Sequence, residues 1–250
     1  MKKGLIVVMI LVLCFSILTG CGNSGLQFNN VEKESSRSEE ILDLDDARGS
    51  SVPYSSLKKK TDEENKNLSK GISYTDLRLK NDDILLTLKN SNSKQVNLSI
   101  EVEFYDEDNT LIDTQKEYIN GFDSNTEVMS LIYMGYSIDE YDHYKIYVDA
   151  VASEDKSYRK DVEITSNDNG SQIVTQVMNN SEEEISNISV VVLFYKDGEI
   201  IFAREDSEYD IKPGRSANLK TGYPYDKNSY KNVEFDEFKV VLKEAYSYEW

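Results

Sequence analysis

Thiols are almost missing from this chain. Of its 250 residues only Cys14 and Cys21 are cysteines, and both sit close to the N-terminus. The rest has no disulfide to staple it and no thiol for catalysis or zinc, so its core must form by hydrophobic burial alone. Histidine is scarcer still, with His143 the single example. A nucleophilic triad needs a base beside its nucleophile, and one imidazole cannot furnish a zinc ligand set. Proline occurs three times. There is no glycine-rich phosphate loop, no Gly-x-Ser-x-Gly elbow and no dinucleotide fingerprint. Positive charge is short as well: 28 Lys and Arg face 46 Asp and Glu, a net charge of −18. Nucleic acid would repel such a chain, and no basic stripe offsets the acidity. Docking on anionic lipid by charge is excluded on the same ground. The expectation is a protein that is not an enzyme and carries no cofactor.

What is present begins at the N-terminus. Lys2 and Lys3 precede the 14-residue apolar run Leu5 to Leu18. That length suits the hydrophobic part of a secretion signal and falls short of the ~20 residues that span a bilayer. The run Leu18-Thr19-Gly20-Cys21 follows. It resembles the bacterial lipobox, and the resemblance implies cleavage after Gly20, a diacylglyceryl thioether on Cys21 and acyl chains such as palmitate. Residues 1–20 would then be a lipoprotein signal peptide. The mature chain of 250 − 20 = 230 residues would carry 26 − 46 = −20. Abundant Lys, Asn, Ile, Tyr and Asp point to an AT-rich, Gram-positive source. The expected address is the outer face of the cytoplasmic membrane, reached through the lipid anchor.

Residues 21–71 have few large apolar groups and no sustained periodicity, and stretches such as Lys58-Lys-Lys-Thr-Asp-Glu-Glu-Asn are densely charged. The segment is expected to be a disordered tether, able as a coil to span on the order of 39 Å.

From about residue 72 the period becomes two. Val96, Leu98, Ile100, Val102 and Phe104 alternate with Asn97, Ser99, Glu101, Glu103 and Tyr105, the signature of a strand with one buried face. Ninety residues later Ile188, Val190, Val192 and Phe194 repeat the pattern. An Asn/Ser turn precedes each strand and an acidic turn follows it. Asp76-Leu-Arg-Leu matches Asp161-Val-Glu-Ile, and Tyr141-Asp-His-Tyr-Lys-Ile-Tyr-Val matches Phe235-Asp-Glu-Phe-Lys-Val-Val-Leu. The chain therefore reads as an internal duplication, with copies at 72–155 and 156–250. An isolated sheet cannot bury its apolar face, so the expected fold is all-β, two tandem immunoglobulin- or fibronectin-III-like β-sandwiches. One larger sandwich across both copies is the alternative.

Val102-Glu103-Phe104-Tyr105-Asp106, after Lys89-Asn90, resembles the signature of the bacterial FxLYD domain. Val192-Leu193-Phe194-Tyr195-Lys196-Asp197-Gly198, followed by Pro213-Gly214, resembles the same module. Copy one lacks the Pro-Gly turn, and copy two has Lys196 where the signature has Asp. The resemblance implies a module of bacterial envelope proteins without established catalytic residues.

Three surfaces are candidates for binding. Asp106, Asp108 and Asp113 offer hard oxygens to calcium around one turn, without the glycine and terminal Glu of an EF-hand loop; a solvated acidic turn is the plainer reading. Tyr223-Pro224-Tyr225 has the makings of a stacking platform for a sugar or peptide. Val191 and Leu193 replace Glu101 and Glu103 on the presumed outer face, where two branched apolar side chains suit a contact with the other copy or with a partner. The expected function is a non-catalytic binding or scaffolding module of the cell envelope, with an envelope protein or cell-wall material as partner. A glycan- or calcium-binding sensor is the alternative, and a hydrolase of unrecognised type built on carboxylates a more distant one.

Overall fold

The computed structural model describes residues 54–134, 141–226 and 231–248. The signal segment and Leu18, Thr19, Gly20 and Cys21 lie outside them. Among the described residues the fold is all-β apart from one helix. Helix α1, Tyr54–Lys70, corrects the expected tether over its last third. Lys, Glu and Asn dominate it, and the charge density that argues for disorder is also compatible with a solvated helix once one side finds a partner. Leu68 supplies that contact by entering the core. Ser69 Oγ also accepts the Ala150 N–H at 2.9 Å.

The first half holds β1 (Ile72–Arg78), β2 (Ile84–Asn90), β3 (Val96–Tyr105), β4 (Leu111–Phe122), β5 (Thr126–Ile132) and β6 (His143–Ala152). They form two antiparallel sheets, β1-β2-β5 and β4-β3-β6. The period-two residues of β3 face inward with Phe104 fully buried, and they meet Ile84, Leu86 and Leu88 of β2 across the core. Because α1 packs beside β6, an edge strand that would otherwise offer free N–H groups is partly covered.

The second half holds β7 (Lys156–Ser157), β8 (Val162–Asp168), β9 (Gln172–Asn179), β10 (Ile185–Lys196), β11 (Glu199–Ile211), β12 (Ser216–Gly222) and β13 (Glu237–Ser247). Its sheets are β12-β9-β8 and β11-β10-β13-β7. Ile188 and Val190 of β10 pack with Val177 and Leu219 from the opposite sheet, and Val192 and Phe194 extend the core towards Ile173. All strand pairing stays within 72–152 or within 156–247. Both sets belong to one compact unit, Ser50–Trp250.

The two halves share more than alternation. Asn90 and Asn179 are fully buried at the ends of β2 and β9. Asn90 Nδ2 donates to the carbonyls of Lys94 and Phe122 at 3.1 and 3.0 Å. Asn179 Nδ2 donates to those of Glu183 and Ile211 at 2.8 and 2.7 Å. Their Oδ1 atoms accept the N–H groups of Asn92 and Ser181. Positive φ recurs at Gly121 and Asp210, and at Asn125 and Gly214. Each pair is separated by the same interval: 179 − 90, 210 − 121 and 214 − 125 all equal 89. One asparagine thus ties three chain segments together in each half, using a side chain that carries both donors and acceptor.

Candidate functional site

Alternation leaves the odd-numbered residues of β10 on the outer face of its sheet, and that face is divided. At one end Val191 and Leu193, fully or almost fully buried, cluster with Ala203 and Val241 of the same sheet and with Leu79, Leu85 and Leu131 of the first half. Leu85 and Leu131 are cross-strand partners on the outer face of β2 and β5. The expected contact surface is therefore occupied within the chain. Each branched side chain stabilises it by roughly 1.5–3 kcal/mol.

At the other end the same face is polar. Asn187 and Ser189 stand on β10 opposite Tyr209 and Ser207 of β11. The pairing of β10 with β13 shifts register between Ser189 and Val190: Val190 opposes Leu242, whereas Ser189 opposes Glu244. Lys243 is the extra residue of this bulge, and a bulge re-aims side chains. Both Lys243 and Glu244 consequently face the junction, where a cleft of about 360 Å³ lies between the halves. Arg159 holds the bulge from behind, its guanidinium donating to the carbonyls of Leu242 (3.0 Å) and Lys243.

Lys243 is 3% exposed. Its ammonium lies 2.5 Å from Glu117 Oε1 of the first half and 2.8 Å from Glu205 Oε2 of β11. The other Glu205 oxygen accepts the Leu131 N–H at 2.5 Å. Glu244 accepts the Asn120 N–H with Oε1 and Ser189 Oγ with Oε2. Asn120 also donates to Tyr246 OH at 3.1 Å, and the Glu205 N–H donates to Tyr133 OH at 2.8 Å. These bonds bridge the halves. At Gly121 they approach so closely that an added Cβ would stand 3.1 Å from Tyr246 Cβ, and its positive φ suits glycine too.

The electrostatics follow from one cation among several acids. Burial raises the Glu205 carboxyl above its ordinary value, and the charge and hydrogen bond of Lys243 only partly reverse this. Glu244 is raised for the same reason, with Lys243 and the Asn120 N–H opposing. Burial alone would lower Lys243, but Glu205 and Glu117 outweigh it and hold the ammonium above its usual range. Burial thus sets the direction for the two carboxyls, and the surrounding carboxylates set it for the ammonium.

The sequence did not single out this cluster, although it carries a signal. In β13 the core-facing series Val240, Leu242 is followed by buried Ala245 rather than by residue 244. That slip in the period of two marks the bulge, and the β6 counterpart continues evenly through Tyr144, Ile146, Val148 and Ala150.

The sequence-predicted residues lie elsewhere. Asp106 Oδ1 accepts the N–H groups of Asp108 and Thr110, holding its turn, and Asp113 accepts Gln115 Nε2 at 2.6 Å. Among the described residues no group of three or more His, Cys, Asp or Glu is gathered to hold a metal ion. Tyr223 donates to Asp168 and sets its ring edgewise on Phe235 at 5.2 Å. Tyr225 faces the Arg204 guanidinium at 5.1 Å, so both rings of the anticipated platform already have partners inside the fold. His143 stacks on Tyr105 at 5.1 Å and pairs with Asp142 at 2.9 Å. No helix among the described residues is long and apolar enough to cross a membrane.

No protein-family model matches the chain, and no curated protein matches it. Among solved structures, the crystal structure of red sea bream transglutaminase is similar at a TM-score of 0.20 and 8% identity. The match covers 66% of this chain and 31% of that one, so the chain spans less than a third of that protein's length.

Proposed function

We propose that this chain is a lipid-anchored, non-catalytic binding or scaffolding protein of the bacterial envelope. Acyl chains on Cys21 hold it at the outer face of the cytoplasmic membrane, and two FxLYD-like, immunoglobulin-class modules present its binding surface. The observation that carries the reading is the Lys2-Lys3 start, the apolar run and Leu18-Thr19-Gly20-Cys21 in immediate succession. Rigid sheets joined by a buried junction suit display of a surface, and fold by itself assigns no chemistry. A segment of about 32 residues, from Cys21 to the first residue of α1 at 54, keeps that surface near the bilayer.

The test is metabolic labelling with an alkyne palmitate in a Gram-positive host. Wild type should take up label and sediment with membranes, and Cys21→Ala should lose the label. Label persisting in Cys21→Ala would overturn the anchor. Crosslinking in intact cells then separates the two binding roles: a stoichiometric envelope protein supports scaffolding. A ligand-binding accessory subunit is the second reading, favoured by the polar cleft at the junction.

A further inference from the structure

We propose that Asn169-Gly170, at the tip of the β8–β9 hairpin, is a self-modification site where the asparagine amide is lost through a succinimide. The site goes beyond the proposed binding role and stands apart from it.

An asparagine followed by glycine sets a backbone nitrogen, unshielded by any side chain, next to its own amide carbon. The chain has two such dipeptides, Asn120-Gly121 and Asn169-Gly170. They differ at each reacting atom. The Gly170 N–H, whose nitrogen is the nucleophile, donates to Asp168 Oδ1 at 2.7 Å. A carboxylate therefore already touches the proton that must leave. The Tyr223 hydroxyl and the Gly170 N–H hold the Asp168 carboxyl below its ordinary value, so it is ionised near neutral pH. Asn169 Oδ1 accepts the N–H groups of Ser171 and Gln172, both at 3.0 Å, and Ser171 Oγ at 2.9 Å. Three donors on one carbonyl oxygen favour the oxyanion that forms when its carbon is attacked. The leaving Nδ2 makes no hydrogen bond among the described residues, and the tip is exposed to water.

Asn120 has none of these aids. The Gly121 N–H donates at 2.8 Å to the amide oxygen of Asn97, which is no base. Its leaving Nδ2 is held on Tyr246 OH at 3.1 Å, and Gly121 is buried.

In the step, the Gly170 nitrogen bonds to Asn169 Cγ and gives its proton to Asp168. Asp168 passes the proton to Nδ2, the Cγ–Nδ2 bond breaks, and ammonia leaves. Water then opens the ring at either carbonyl, leaving aspartate or isoaspartate at position 169. Both add a negative charge beside Asp168. Isoaspartate also puts an extra carbon into the backbone of a tight turn, which disturbs the β8–β9 register.

The full chain, incubated at neutral pH and mapped at intervals by proteolysis, chromatography and mass spectrometry, tests the proposal. The peptide holding Asn169 should turn into both acids while the one holding Asn120 stays intact. Asp168→Ala should slow conversion about tenfold, less than an enclosed general base supplies because water surrounds this one. In that variant the rate should climb more steeply with pH, since hydroxide replaces the carboxylate as base. Ser171→Ala, which removes one donor from the oxyanion, should slow conversion about threefold. If these hydrogen bonds instead protected the turn by holding it rigid, both variants would convert faster. Faster or unchanged conversion in either variant would overturn the proposal. So would equal rates at Asn169 and Asn120, or aspartate without isoaspartate, the mark of direct hydrolysis.

Discussion

Replacing Lys243 by Met should be among the most damaging single changes in the chain, and its cost should shrink on acidification. Methionine is close to lysine in length and leaves the packing of the alkyl stem in place. What disappears is the ammonium 2.5 Å from Glu117 and 2.8 Å from Glu205. The side chain of Glu205 is 16% exposed, so its charge would remain in a poorly solvated site without a counter-charge. Glu244, 7% exposed, would lose the same opposing charge. Breaking a buried pair in this way costs about 3–5 kcal/mol, and the part due to Glu117 is smaller because water reaches its carboxylate.

The pH dependence gives the test its direction. Glu205 and Glu244 already have folded-state values above the ordinary 4.5. An acid raised on folding binds protons more readily in the native state, so its unfavourable contribution grows as pH rises through the folded value and fades as pH falls. Removing Lys243 takes away a cause that lowers both groups, which moves them further up. The gap between wild type and Lys243→Met should therefore narrow as pH falls towards the ordinary carboxyl range. Exposed acids lowered by their own partners, such as Glu183 and Asp236, weaken the protein in acid but are common to both chains and cancel. Urea denaturation at several pH values measures the gap. Lys243→Met/Glu205→Gln should recover about half the loss by removing the stranded charge. A cost below about 1 kcal/mol, or a gap that widens in acid, would refute the account of the cluster.

Two further outcomes follow from the fold. Asn90→Ala and Asn179→Ala should each cost at least about 2 kcal/mol in urea denaturation, because each strands two or more carbonyls and an N–H where water is excluded. Equal losses are expected, since the two side chains make equivalent bonds. Tyr141 is 5% exposed with its phenol pushed up to about 12 by burial, although the nearby Arg78 guanidinium opposes this. A raised tyrosine supports the fold fully below about pH 10 and loses that support through about pH 12, a change of roughly 2–3 kcal/mol. Tyr141→Phe should flatten the alkaline limb of stability by that amount while giving up the bond to the Asp82 carbonyl.

The core was legible because its strands obey a period of two without interruption. Val96 to Phe104 and Ile188 to Phe194 need only the rule that alternate side chains share a face. Helix α1 was not legible, because its contribution to the core is a single leucine and its bond to β6 runs through a serine hydroxyl. Neither feature differs in composition from an unstructured polar segment. The partners of the two tyrosines were hidden for a related reason. Pattern shows where Tyr223 and Tyr225 fall in the chain, but not that Phe235 and Arg204 arrive from distant sequence to meet their rings. The junction cluster was hidden by a bulge, whose only trace is the step from Leu242 to Ala245.

A difference between the two halves explains why the junction forms where it does. On β3, the outward Glu101 pairs with exposed Lys116 at 2.9 Å, and Glu103 accepts the hydroxyls of Tyr105 and Tyr147. That face satisfies its charges within its own sheet. The matching positions on β10 are Val191 and Leu193, which have no such use for solvent and are closed off by the first half. Apolar burial is enough to hold two sheets together, and a buried ionic group is weak evidence for stability because well-packed apolar residues do as well or better. Lys243, Glu205 and Glu244 are therefore not required for the halves to adhere. Their bonds to Glu117, to the Leu131 N–H and to the Asn120 N–H instead tie the polar half of the junction together.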